Sequence, residues 1–219
     1  MSTPSLYAHP FSSYCMKVLT ALYENATPFE FKMLGPNQPA QQEFEQLWPM
    51  RKMPILTDGG KTYRESSIII EYLQQAYPGK VSFIPADPKQ AIEVRFMDRF
   101  FDNYVMTPMQ GMVADYLRPA ESRDPFGVAK SRKQALRAYA WLEGALAGKT
   151  WAAGEQFSLA DCAAAPALFY GDWVVQIPDD CPTLRAYRQR LLQRPSFKRA
   201  VDEARPFRHF FPPGAPDRD

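Results

Sequence analysis

Residues 6–22 read LYAHPFSSYCMKVLTAL, and this stretch predicts a strand that passes directly into a helix. The first part is a short apolar strand candidate that stops at Pro10. From Cys15 to Leu22 the apolar residues recur at i, i+3, i+4 and i+7, which is the spacing of one helix face. Ser12 and Ser13, between the strand and the helix, therefore lie at a helix start.

Strand and helix signals continue to alternate over the first third of the chain. Residues 29–33 alternate apolar and charged side chains and predict a second strand, and residues 40–47 predict a short helix. Two further strand candidates flank Asp58-Gly59-Gly60, which is a hairpin signal. Helical spacing returns at residues 69–76. The order βαβ followed by αββα predicts a compact three-layer α/β unit.

The remainder of the chain carries only helical patterns. Residues 77–88 contain three prolines and predict a linker. The next predicted helix runs from about Lys89 to Tyr116 and has a kink at Pro108. The later helices are predicted around residues 135–146 and from Ser158, Thr183 and Pro195 onward.

The composition limits the class of protein and of partner. The 219 residues include 26 Lys or Arg and 24 Asp or Glu, and a net charge of +2 gives no argument for a nucleic-acid or anionic-membrane partner. No window approaches 18 apolar residues, so no membrane span is expected. The N-terminus lacks the basic and apolar regions of a secretory leader, and three widely spaced cysteines indicate reduced thiols. We therefore expect a cytoplasmic protein. The chain has no CxxC pair and no neighbouring histidines, so no metal is expected.

Three short motifs could take part in binding or catalysis, and each also has a simpler structural explanation. Met53-Pro54 precedes a strand, and a cis bond there would turn the Met53 backbone toward an extended, peptide-like ligand, whereas a trans proline would only begin the strand. Glu65-Ser66 opens a helix and suits the two charges of an amino-acid headgroup, or is a plain cap. The Ser12 hydroxyl either favours an anion at a helix start or caps the helix.

Together, in this order and spacing, the motifs resemble one family, the glutathione transferases. The resemblance covers nearly the whole chain. It is carried by residues 11–18 (FSSYCMKV), Met53-Pro54-Ile55-Leu56, Glu65-Ser66 before a helix, the capping box Ser158–Asp161, and residues 194–200, which are similar to the family's last helix.

The resemblance implies a fold and an assembly. We expect a thioredoxin-like, glutathione-binding α/β domain at residues 1–78, an all-helical domain with the hydrophobic substrate site at 89–205, and a C-terminal tail at 206–219. It implies a cis Met53-Pro54 bond and a homodimer. The dimer is also favoured by Phe100, Phe101 and Tyr104, because these side chains add more apolar surface than one helical domain is expected to bury.

The resemblance also implies the branch of the family and the residues of the site. Ser12 aligns with the catalytic serine of the Ser-type branch, which includes the theta and zeta classes and many bacterial relatives. Tyr14 and Met16-Lys17 stand where the zeta motif has Cys and Trp-Arg, which argues against maleylacetoacetate isomerase activity. Tyr7 is the position for an activating tyrosine, and Ser12 fits the pattern better. Cys15 falls on the apolar helix face and is expected to be a buried core thiol.

The implied co-substrate is glutathione, with no metal. Its implied contacts are Ser12, Ser13, Lys52, Met53, Pro54, Glu65 and Ser66, with Arg51 as an alternative to Lys52 and with Asp98 or Asp102 reaching the partner subunit's ligand. The second substrate is expected in a hydrophobic site of Phe11, Met106, Met109, Met112 and Tyr116, under a lid of Phe207, Phe210 and Phe211.

Three functions fit these residues. The first is conjugation of glutathione to small hydrophobic electrophiles, as in detoxification. The second is a glutathione-dependent isomerase, dehalogenase or reductase on the same site. The third is a non-catalytic interaction module, which the complete set of Ser12, Met53-Pro54 and Glu65-Ser66 argues against.

Overall fold

The computed structural model describes residues 3–219. Met1 and Ser2, which begin the predicted first domain and the stretch examined for a leader, lie outside the described residues. Within the described range the chain forms an α/β unit followed by an all-helical part, as predicted.

Four short strands form one mixed sheet in the order β2-β1-β3-β4. The strands are β1 (Ser5–Ala8), β2 (Glu30–Met33), β3 (Ile55–Asp58) and β4 (Lys61–Arg64). Strand β1 runs parallel to β2 and antiparallel to β3, and β3 and β4 form the predicted hairpin. The helices are α1 (Ser13–Glu24), α2 (Ala40–Leu47), α3 (Ser66–Ala76), α4 (Pro88–Phe100), α5 (Thr107–Tyr116), α6 (Pro125–Ala145), α7 (Leu159–Val174), α8 (Pro182–Gln193) and α9 (Pro195–Ala204).

The two faces of the sheet bury different residues, because successive strand side chains point to opposite sides. Leu6 and Leu56 are opposite each other and belong to the large core shared with α1 and α3. Tyr7 and Ile55, one position along, face a small second cluster that includes Phe44 of α2. The sheet is therefore the middle layer of the predicted three.

Helix α1 joins the sheet to the helical part of the chain. It packs against α3 on one side and against α7 and α9 on the other. The predicted capping box begins α7, where the Asp161 carboxylate accepts from the Ser158 backbone N–H at 2.8 Å. The core is continuous across both parts, and the residue bounds 1–78 and 89–205 stay a prediction.

The predicted helix 89–116 exists as three consecutive pieces. Between α4 and α5, residues Phe101–Met106 form a π-helical segment, and Pro108 is the second residue of α5. In an α-helix the Pro108 ring would meet the carbonyl of residue 104 and leave it without a donor. The π segment ends two residues before this proline, so the helical period changes at the place where the sequence predicts a kink.

The C-terminal tail begins with regular structure. Residues Arg205–Phe210 form a 3-10 helix, and only the residues after it are irregular. Arg218 anchors the last residues by donating to the Asp172 carbonyl at 2.8 Å.

Candidate functional site

The loop between β1 and α1 places the Ser12 hydroxyl at the start of a helix. The Ser12 backbone N–H donates to the His9 carbonyl at 3.0 Å, and the Phe11 N–H donates to His9 Nδ1 at 3.2 Å. Ser12 has extended backbone angles and is the N-cap of α1, yet its side chain makes no capping hydrogen bond within the described chain. The hydroxyl therefore lies at the positive end of the helix without capping it, and its side-chain neighbour there is the Cys15 thiol.

Cys15 and Tyr7, the other candidates near this loop, are buried. Cys15 is fully buried in the large core, and burial raises the pKa of its thiol to about 12, while a hydrogen bond with the Ser12 side chain acts in the opposite direction. A thiol with such a pKa is protonated at neutral pH and is a poor nucleophile. Tyr7 lies in the second cluster under the sheet, where burial raises its pKa to about 12.

One cavity brings together five residues that the sequence placed in or beside two separate motifs. This polar cavity has a volume of about 340 Å³. Its lining includes Lys52, Met53, Pro54, Glu65 and Ser66. The Met53-Pro54 peptide bond is cis, as predicted. Ser66 is the first residue of α3, so the free amides of that helix start lie beside the cavity.

Arg51 lies outside the lining of the polar cavity, whereas Glu65 belongs to it and has an unusual backbone conformation. Arg51, the alternative to Lys52, is paired with Glu45 at 3.1 Å and is not among the residues that line the polar cavity. Glu65 has a φ of 67°, a left-handed backbone that non-glycine residues adopt rarely and most often at functional sites.

The other residues that line the polar cavity were mostly not predicted from the sequence. They are Tyr14, Arg99, Asp102, Asn103 and Gln110. Most of these residues come from α4, the π segment and α5, which carry no motif. Burial, with a smaller contribution from Asp102, raises the pKa of Tyr14 to about 12, so its hydroxyl is a proton donor at neutral pH.

A buried ion cluster underlies this part of the polar cavity. Lys17 of α1 is only 1% exposed, and its Nζ lies 2.6 Å from Asp98 Oδ1 and 2.7 Å from Asp102 Oδ2. Lys17 also donates to Ser67 Oγ of α3 at 2.9 Å. Arg99 Nη2 completes the cluster at 2.8 Å from Asp98 and 2.7 Å from Asp102. Two cations and two anions thus join α1 and α3 to the helical part.

The two aspartates of this cluster have different access to the cavity. Asp98 is 2% exposed and both of its oxygens are bonded to Lys17, Ser67 or Arg99, so the expectation that it reaches a ligand was wrong. Asp102 lines the polar cavity of its own chain, and within the described residues its buried Oδ1 has no hydrogen-bond partner. Burial raises the pKa of Asp102, whereas Lys17 lowers it.

A second cavity, which is mostly apolar, adjoins the Ser12 loop. This apolar cavity has a volume of about 300 Å³. Phe11, Ser12, Ser13 and Met109 line it as predicted residues, and Phe210 and Phe211 of the tail cover it. The lining also contains Gln110, Val113, Ala114, Leu117, Tyr170 and Pro212.

Three of the predicted hydrophobic residues lie elsewhere. Met106 and Met112 are 1% and 4% exposed and belong to the core, and Tyr116 is an exposed residue outside the lining. The prediction had treated residues 89–116 as one helix, and the π segment shifts which face meets the cavity. Phe207, one of the three lid candidates, packs on His9 with ring centroids 4.8 Å apart.

Gln110 lines both cavities and is the residue that they share. The Ser12 loop contributes Ser12 and Ser13 to the apolar cavity and Tyr14 to the polar one. A ligand that extends from the polar cavity past Ser12 would therefore meet a second molecule in the apolar cavity beside Gln110.

Residues 3–219 contain no helix that is both long and apolar enough to cross a membrane. Over the same range, no group of three or more His, Cys, Asp or Glu side chains is arranged to hold a metal ion.

Family models match most of the chain. Residues 6–81 match the glutathione S-transferase N-terminal domain, and residues 106–195 match the glutathione S-transferase C-terminal domain. A relative from Pseudomonas putida, named glutathione S-transferase, is 31% identical over 156 residues, which is 71% of this chain and 69% of the relative.

Solved structures give the same family. A glutathione S-transferase from Methylobacterium radiotolerans in complex with glutathione sulfonate has a TM-score of 0.79 and 26% identity, covering 91% of this chain and 95% of its own. A glutathione S-transferase from Methylobacillus flagellatus with GSH bound also has a TM-score of 0.79 and 26% identity, covering 90% and 98% of the two chains.

Proposed function

Because the chain belongs to the glutathione S-transferase family, we propose that this enzyme conjugates the glutathione thiolate to small hydrophobic electrophiles, with the Ser12 hydroxyl stabilising the thiolate. One observation carries the proposal. The Ser12 hydroxyl, which makes no capping hydrogen bond, lies at the start of α1. There a charged cavity suited to an amino-acid headgroup adjoins an apolar cavity.

The polar cavity is proposed to bind the γ-glutamyl end of glutathione. The free amides at the start of α3, with the Ser66 hydroxyl, suit its α-carboxylate, and Arg99 adds a positive charge. Glu65 and the unpartnered Asp102 Oδ1 suit the α-ammonium group. The Met53 backbone would pair with the cysteinyl unit, Pro54 would pack beside it, and Lys52 would approach the glycyl carboxylate.

Thiolate formation is the step in which Ser12 acts. A free cysteine thiol has a pKa near 8.5, so roughly 3% is ionised at pH 7. Lowering that pKa by about two units requires about 2.7 kcal/mol. A hydroxyl that donates to an anion supplies about 1.5–3 kcal/mol, and the start of α1 adds about 0.3–1 kcal/mol. Ser12 and the helix therefore suffice without a general base, and the thiol proton goes to solvent.

The apolar cavity is proposed to hold the electrophile above Ser12. Phe11 and Met109 form its walls, Ser13 lies at its edge beside Ser12, and Phe210 and Phe211 exclude water. We assign the enzyme to the Ser-type branch, an assignment supported by the burial of Cys15 and by the position of Tyr7 under the sheet, which favour Ser12 over either residue beside the thiol. A cytoplasmic location is compatible with the three cysteines, which all have free thiols.

The two predicted domains are proposed to bind different substrates. Residues 1–78 would bind glutathione and residues 89–205 would supply the hydrophobic site, with the tail 206–219 as its cover. Asp102 and Arg99, which line the polar cavity from the helical part, would then make glutathione binding depend on both domains.

A homodimer is proposed on the basis of exposed aromatic side chains. Phe100 and Phe101 are buried, so they do not contribute to this argument, but the side chains of Phe96, Tyr104 and Trp141 are each more than 40% exposed on α4, the π segment and α6. We expect a dimer by sedimentation at micromolar concentration. A Phe96→Glu, Trp141→Glu variant is expected to sediment as a folded monomer, and a wild-type monomer would contradict the proposal.

Ser66→Ala is expected to weaken glutathione binding by about tenfold, because the headgroup loses one charge-assisted hydrogen bond. The pKa of the bound glutathione thiol should stay nearly unchanged, since Ser66 lies at the other end of the ligand. Calorimetry measures the dissociation constant, and thiolate absorbance measures the pKa. Ser82→Ala, on an exposed loop serine outside both cavities, is the control. A dissociation constant equal to that of the wild type would remove Ser66 from the site.

Function is tested by retention on immobilised glutathione, followed by three assays. We expect retention and rapid turnover of 1-chloro-2,4-dinitrobenzene, with slower turnover of a maleyl compound and of a mixed disulfide. A faster rate with either of the last two would favour the isomerase or the reductase. Retention without any turnover would favour the non-catalytic module.

A further inference from the structure

The apolar cavity offers few polar groups to a second substrate. Its lining, within the described residues, includes no charged side chain. The Tyr170 hydroxyl donates to the Phe11 carbonyl at 2.8 Å, so its proton is already used. Ser12 is assigned to the thiolate, and Ser13 is 7% exposed. Gln110 is the polar side chain left for the electrophile.

Gln110 lies at the place where the two substrates would meet. It lines both cavities, and within residues 3–219 its carboxamide has no hydrogen-bond partner. Val113, Ala114 and Leu117, at i+3, i+4 and i+7 from Gln110, line the apolar cavity from the same helix face. Gln110 is exposed at this junction, and its neutral amide donates a hydrogen bond at any pH.

Resting on the proposed function, we propose that Gln110 selects the second substrate: its side-chain N–H donates to an electrophile oxygen that gains negative charge as the sulfur attacks. The favoured class is a neutral, apolar molecule with a nitro or carbonyl group conjugated to the reacting carbon. Charged molecules are disfavoured, because the lining supplies no opposite charge for them.

The chemistry places charge on that oxygen in two reactions. With 1-chloro-2,4-dinitrobenzene the thiolate electron pair forms the C–S bond and a ring π pair moves onto a nitro oxygen; that pair then returns to the ring as chloride leaves with the C–Cl pair. With an α,β-unsaturated aldehyde the sulfur bonds to the β-carbon, the charge moves to the carbonyl oxygen, and water protonates the α-carbon. With benzyl chloride the C–S bond forms as chloride leaves, and no such oxygen exists. A donor helps only the first two reactions.

The test compares Gln110→Met and Gln110→Glu with wild type on 1-chloro-2,4-dinitrobenzene and benzyl chloride. We expect kcat/KM for the first substrate to fall about tenfold in the Met variant and further in the Glu variant, whose negative charge opposes the developing one. With benzyl chloride the Met variant should stay within twofold of wild type. Gln90→Met, an exposed change on α4, is the matched control.

Glutathione affinity, measured by calorimetry on each variant, separates the possible outcomes. An unchanged dissociation constant with a loss confined to the oxygen-bearing substrate supports the inference. An equal loss on both substrates, a weaker glutathione affinity that accounts for the loss, or no loss at all would overturn it while leaving conjugation established. Wild-type protein that neither binds glutathione nor conjugates it would overturn the proposed function, and the inference with it.

Discussion

Ser12→Ala is expected to slow conjugation at neutral pH by about 10- to 100-fold, because it removes about 1.5–3 kcal/mol of thiolate stabilisation. The pKa of bound glutathione should rise accordingly, which titration of the thiolate absorbance measures directly. Raising the pH should recover part of the lost rate, since hydroxide then ionises the thiol. The loss is a change in chemistry, so glutathione affinity well below the thiol pKa should change little.

Ser13→Ala and Cys15→Ala are the controls for this assignment. Ser13 is the first residue of α1 and is 7% exposed, whereas Ser12 precedes the helix with an extended backbone. Cys15 is fully buried and its thiol stays protonated at neutral pH. A larger rise of the glutathione pKa in Ser13→Ala than in Ser12→Ala would move the assignment by one residue. Loss of activity in Cys15→Ala alone would identify a thiol-dependent redox enzyme instead.

Lys17→Met is expected to destabilise the protein by about 3–5 kcal/mol, because it leaves Asp98 and Asp102 buried without their principal cation. This is a large part of the 5–15 kcal/mol that typically holds a protein folded. The measurement is the midpoint and slope of urea unfolding. Lys198→Met removes a lysine from an exposed ion pair with Asp202 and should change stability by less than about 0.5 kcal/mol.

A second substitution distinguishes an uncompensated charge from lost packing. Adding Asp98→Asn to Lys17→Met removes one of the two unpaired charges and should restore part of the stability. If the double variant is less stable than Lys17→Met, the packing of the lysine stem is the larger contribution. A loss below about 1 kcal/mol in Lys17→Met would contradict the role given to the cluster.

Local sequence patterns predicted most of the fold. The strand and helix positions of the first 76 residues follow from alternation and helical spacing, which depend on neighbours a few residues apart. The capping box located the start of α7 because its two residues bond to each other. Met53-Pro54 and Glu65-Ser66 were joined in one site by the resemblance to the glutathione transferases, and both motifs line one cavity.

The rest of the site depends on contacts between residues that are far apart in the sequence, which local patterns do not reveal. Arg99 and Asp102 reach the polar cavity through a cluster with Lys17, some 80 residues earlier in the chain. Lys17 itself lies within the recognised motif, but nothing adjacent to it indicates that its charge is buried. Met106 and Met112 were expected in the hydrophobic site because they lie near Pro108 on the helix that the family uses for it, whereas both are buried in the core.

The π segment at Phe101–Met106 gives this part of the chain a tolerance for a change of length. A π turn holds one residue more than an α turn, so deleting one residue within the segment would convert it to an ordinary helix and leave α4 and α5 in place. Gln110 and Val113 would then keep their places at the cavity. Deleting one residue early in α5 would instead turn the residues after it by about 100° and draw them back by about 1.5 Å. A lineage can therefore gain or lose a residue beside the site without exchanging the helix face that lines it.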